Sequence, residues 1–70
     1  MTQFLLAFDT DYQASVLELL RSIQGVRMQG APGANGTVKI EIKRLTLDDE
    51  TTAIREIEAI PGVIDLRHLR

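Results

Sequence analysis

No cysteine and no tryptophan occur in the chain, and it holds only one histidine, one tyrosine and two phenylalanines. Without cysteine, no disulfide and no thiolate–metal site can staple the fold. His68 leaves only carboxylates as companions for a metal ion. As a general acid or base it lacks the partner and pocket that such chemistry needs. Long hydrophobic runs are also missing. The strongest, Phe4–Phe8, is far too short to span a membrane, and no basic start of a signal peptide precedes it. Nor is there a surplus of one charge: eight basic residues stand against ten acidic ones, a net of −2, and such a field draws no polyanion. These absences lead us to expect a cytoplasmic protein that is not an enzyme, with no metal and no cofactor, no membrane contact and no nucleic-acid partner.

The chain does contain a repeat. Ile60-Pro61-Gly62-Val63 restates Ile23-Gln24-Gly25-Val26 at an offset of 37 residues, and the offset holds further back. Asp48 falls on Asp11, Ala53 on Val16, Ile54 on Leu17 and Ile57 on Leu20. Each copy reads as an amphipathic helix stopped at a glycine, followed by a valine that opens a strand, and each is preceded by an apolar strand. The 70 residues are therefore expected to form one domain, residues 1–70, built from βαβ twice over. A chain this small without staples needs efficient packing of helices on a sheet, or a partner that buries more surface.

Taken in order, Gln3–Phe8 reads as a continuous apolar strand of the kind found mid-sheet. We expect Phe4, Leu6 and Phe8 to point inward, as the larger set. Thr10 with Gln13 fits a capping box, and a helix from about Asp11 to Gln24 buries Val16, Leu17, Leu20 and Ile23. Gly25 is read as the left-handed residue that closes it. Val26-Arg27-Met28 opens a second strand. The run Gly30 to Gly36 lies between strands rather than before a helix, so it is read as a hairpin loop and not a phosphate cradle. In the third strand Val38, Ile40 and Ile42 alternate with Lys39, Glu41 and Lys43. Asp48 or Asp49 is expected to cap the second helix, whose buried stripe is Ala53, Ile54, Ile57 and Ile60. The carboxylates at both helix starts serve caps and dipoles rather than a metal. Pro61-Gly62 ends that helix, and Val63–Leu69 forms the fourth strand with Ile64 and Leu66 toward the core and His68 at its rim.

This order predicts an α+β fold, the ferredoxin-like split βαβ arrangement, with a four-stranded antiparallel sheet in the order 4-1-3-2 and two helices on one face. Its other face would be open. By alternation that face carries Lys39, Glu41 and Lys43, Arg27 and Gln29, Asp65 and Arg67, with Leu5 from the first strand. Four cations against two carboxylates make it about +2 on a chain that is −2 overall. Aromatic side chains on which RNA bases could stack are missing there. Tyr12 and Leu19 exceed what one helix face needs and are candidate dimer contacts.

On Ile23-Gln24-Gly25-Val26 and Ala59-Ile60-Pro61-Gly62-Val63-Ile64-Asp65-Leu66, the sequence resembles two groups of small ferredoxin-like modules. One is the NapD family, cytoplasmic chaperones that bind the twin-arginine signal peptide of periplasmic nitrate reductase. The other is the ACT-like and RAM group of ligand-sensing domains, which work as dimers. The first resemblance implies a peptide-binding chaperone that docks its peptide across the sheet on Leu5, Arg27, Lys39, Glu41, Lys43, Asp65 and Arg67, with Glu41 and Asp65 receiving basic residues. The second implies a homodimeric regulatory domain joined through an edge strand or the first helix. A third expectation is an accessory protein of a phage or mobile element that binds and inhibits a partner.

Overall fold

The apolar run near the start of the chain becomes one of the two central strands of the sheet, with a strand on either side and helices above it. The computed structural model describes residues 2–69. In it β1 (Thr2–Phe8) leads through a 3-10 turn (Thr10–Tyr12) into α1 (Gln13–Ser22) and β2 (Val26–Gln29), and the second half repeats the pattern as β3 (Thr37–Ile42), α2 (Leu47–Glu58) and β4 (Val63–Leu69). The sheet order is β2-β3-β1-β4, with every pairing antiparallel. This is the ferredoxin-like α+β topology that the repeat predicts.

Cross-strand partners share a face, so the register assigns each side. Phe4 lies between Ile40 and His68, and Leu6 between Val38 and Leu66. Phe4, Leu6 and Phe8 are all buried, which settles the parity of β1. Both helices cover this face. Leu6, Leu20, Ile40, Ile42, Ile57 and Val16 are the largest fully buried side chains, drawn from two strands and two helices. Leu17, Ile23, Ile54 and Leu66 pack at the margin of that cluster.

The repeat has a concrete structural meaning. In each copy the isoleucine after the helix donates its backbone N–H one turn back, Ile23 to Leu20 at 3.2 Å and Ile60 to Ile57 at 3.1 Å. The valine then donates to that isoleucine's carbonyl, Val26 to Ile23 at 3.3 Å and Val63 to Ile60 at 3.1 Å. Each tetrapeptide is thus a closed turn whose third residue needs positive φ, a place for glycine, and whose second accepts proline. The glycine carbonyls close the pattern across the sheet: Gly25 accepts from the N–H of Lys43 and Gly62 from that of Asp9, both at 2.7 Å. Gly25, at φ +81°, therefore belongs to this turn and does not directly close α1, which ends three residues earlier at Ser22.

Three further expectations are corrected. Ile64 is 71% exposed and not on the core side. Ala7 pairs with Asp65 but Phe8 with Val63, so Ile64 is the extra residue of a β-bulge and the inward set becomes Val63, Leu66 and His68. At α1, Thr10 and Gln13 form no capping box. The Asp9 carboxylate accepts from the N–H of Asp11 at 3.0 Å, because a short acidic side chain reaches the donor two residues on, and this opens a 3-10 turn first. At α2 the cap is Thr46, whose hydroxyl accepts from the N–H of Asp49 at 3.1 Å. Asp48, Asp49 and Glu50 instead occupy the first turn, where they complement the helix dipole.

Candidate functional site

With both helices on one side, the other side of the sheet is uncovered, and the register arranges its side chains in rows. One row runs Arg27, Glu41, Gln3 and Leu69 across β2, β3, β1 and β4. The next runs Gln29, Lys39, Leu5 and Arg67, and a third, across β3, β1 and β4, runs Thr37, Ala7 and Asp65. Six of the seven residues expected at the site, all but Lys43, therefore share one face of the sheet. Arg27, Lys39, Asp65 and Arg67 are exposed on it and Leu5 is half-buried between Lys39 and Arg67. Lys43 sits just past the end of β3, exposed, its backbone still bonded to Gly25.

The two carboxylates of this face are already engaged. Glu41 is only 8% exposed, the single buried charged residue described, and accepts a hydrogen bond from the side-chain amide of Gln29 at 3.0 Å. A buried charge needs such a partner, and the cations Arg27, Lys39 and Lys43 stand around it on the same face. Asp65 forms an ion pair with Arg67 at 3.1 Å and also accepts from the backbone N–H of Leu66 at 2.9 Å. Gln29 was not singled out by sequence reasoning as a partner of Glu41. The signal was there in the hairpin, since opposing Arg27 to Glu41 places Gln29 one diagonal step away.

The remaining candidates lie elsewhere. Tyr12 and Leu19, at 48% and 42% exposure, belong to the helical layer. Tyr12 is partly accounted for, because its Cβ and ring root lie directly against Gly62. His68 shares the core side with Phe4, the ring centroids 5.3 Å apart and tilted by 55°. A shallow groove of about 630 Å³ near the start of α2 is lined by Gly25, Lys43, Arg44, Leu45 and Asp49. In it Leu45 is almost fully exposed, and the Arg44 Nε is buried without a hydrogen-bond partner among the described residues. Among the described residues no three His, Asp or Glu side chains come together as a metal site. No described helix is long and apolar enough to cross a membrane.

No protein-family model matches the chain, and no curated protein is significantly similar to it in sequence.

Proposed function

We propose that this chain is a small, non-enzymatic, cytoplasmic module that binds a peptide or protein segment on the open face of its sheet. The observation that carries the reading is the uncovered face itself. Arg27, Lys39, Lys43, Asp65 and Arg67 are exposed along or beside it, around the half-buried Leu5. Polar contacts at the rim with an apolar centre are the usual composition of a transient protein interface. A chaperone of the NapD kind, docking a twin-arginine signal peptide, is the narrower form of the proposal. It requires Glu41 and Asp65 to exchange their present partners, Gln29 and Arg67, for the arginines of the peptide. The test is backbone amide chemical-shift mapping of the labelled protein against a twin-arginine peptide. The narrower form requires shifts confined to the open-face rows and affinity reduced about tenfold by the double change Glu41→Gln and Asp65→Asn. No binding of this peptide would remove the chaperone form and leave the sheet-face reading open to other segments. Shifts confined to the helices would sink the sheet-face reading.

A second reading, a homodimeric regulatory domain, is favoured by the exposure of Tyr12 and Leu19. It predicts a dimer mass by light scattering that persists on dilution into the low micromolar range and falls to the monomer with Leu19→Lys. A monomer at every concentration would remove it.

A further inference from the structure

Resting on the sheet-face reading above, we infer that the segment this face takes is acidic, an amphipathic helix carrying carboxylates rather than a basic peptide. The argument is the separation of charge that the fold creates. Of the ten carboxylates, only Glu41 and Asp65 are on the sheet. The other eight lie on the two helices and on the 3-10 turn with its cap Asp9, and the cations of these elements are Arg21 and Arg55. The helical layer is therefore about −6 and the sheet face about +2. Arg44 in the crossover and Arg70, outside the described residues, restore the total of −2.

The imbalance on the sheet is larger than its net charge suggests. Both of its carboxylates are spoken for, Glu41 buried under the clasp of Gln29 and Asp65 held by Arg67. Arg27 and Lys39 form no ion pair among the described residues. An arriving basic group thus meets free cations and occupied carboxylates, whereas an arriving carboxylate meets free cations. The pair Asp65–Arg67 is 51% and 78% exposed, and exposed pairs of this kind contribute little. Arg67 can accordingly turn to a new carboxylate at small cost.

Geometry specifies the partner further. Lys39 and Arg67 straddle Leu5 in one row, two strand spacings or about 10 Å apart. Positions i and i+7 of a helix are about 10.5 Å apart along its axis. A helix laid across the strands with acidic residues at i and i+7 meets both cations, and an apolar residue at i+3 or i+4 then falls on Leu5. Nucleic acid offers the same negative charge but asks for stacking surfaces. Phe4 and Phe8 are on the core side and Tyr12 is in the helical layer, so the face supplies none.

The test is chemical-shift titration of the labelled full chain with three probes: a synthetic amphipathic peptide with Glu at i and i+7 and Leu at i+3 and i+4, the same peptide with Lys for Glu, and a short single-stranded RNA. The Glu peptide is expected to shift the rows of Arg27, Lys39, Leu5 and Arg67 and to weaken with added salt. The double change Arg27→Gln and Lys39→Gln, which removes both charges without setting new carboxylates beside the buried Glu41, should reduce its affinity about tenfold, with a cooperative unfolding transition retained. Equal or tighter binding of the Lys peptide on the same rows would overturn the inference and leave the sheet-face reading standing. Tighter binding of the RNA there, no shifts with the Glu peptide, or an unchanged affinity in the double variant would also overturn it. Shifts confined to the helices would remove both readings together.

Discussion

Leu6→Ala is expected to bring the domain close to unfolding at room temperature. Leu6 is fully buried in the central strand, between Val38 on one side and Leu66 on the other, with helices above. Truncating such a leucine removes its transfer free energy and leaves a cavity, about 3–5 kcal/mol in well-packed cores. A domain of 70 residues has a total stability of roughly 3.5–10 kcal/mol. The expected outcome is a denaturation midpoint lowered by a third or more, or loss of a cooperative transition. Ile64→Ala and Leu45→Ala are the controls, since these side chains are 71% and 98% exposed. Each should stay within about 0.5 kcal/mol of the parent. If Leu6→Ala costs under about 1 kcal/mol, β1 is not the centre of the core.

How much of this was legible in advance depends on which residues one asks about. The central place of β1 was expected from its unbroken apolar run. An unbroken run is the mark of a strand covered on both faces, however, and here Leu5 and Ala7 stand half-buried on the uncovered one. β3 announced its two faces by strict alternation. The repeated Ile-x-Gly-Val was readable as a helix stop, but its role is more specific, a hydrogen-bonded turn between helix and strand. What failed was local and of one kind. Ile64 looked like a core residue because alternation was counted through a bulge that only the pairing with Phe8 and Ala7 reveals. Asp9 and Thr46 took the capping roles assigned to Thr10 and to Asp48 or Asp49 because several capping-competent residues stand side by side, and backbone direction decides among them.

The candidate surface divides the same way. Which residues share the open face was a matter of period two, and Arg27, Lys39, Glu41, Asp65, Arg67 and Leu5 do share it. Which of their charges are free was not legible, because that depends on side-chain partners. Glu41 and Asp65 counted as available carboxylates in the sequence, yet one is buried against Gln29 and the other paired with Arg67. This difference moves the expected partner chemistry from basic toward acidic while leaving the surface unchanged.

Gly62→Ala is expected to be nearly as damaging as the core truncation, and for reasons that can be separated. Gly62 has φ +98°, where a β-carbon is strained, at a cost on the order of 1–3 kcal/mol. A Cβ built there would also lie 2.5 Å from the Cβ of Tyr12, 2.8 Å from its Cγ and 3.2 Å from a methyl of Val16. The closest atom is the Tyr12 β-carbon itself, so Tyr12→Ala in the same chain relieves the clash only in part. Gly30 isolates the first cause: its φ is +80° but nothing lies within 4 Å of its would-be Cβ. Asparagine tolerates positive φ better than alanine does. Gly30→Asn should therefore cost under about 0.5 kcal/mol, since surface changes free of contacts are small. Gly62→Asn should still lose about 2 kcal/mol or more, because overpacking against fixed neighbours persists. Equal losses at the two sites in urea unfolding would mean that φ alone governs both. A larger loss at Gly62 that persists with asparagine means that the turn into β4, the edge that carries Asp65 and Arg67, is held closely against Tyr12 and Val16.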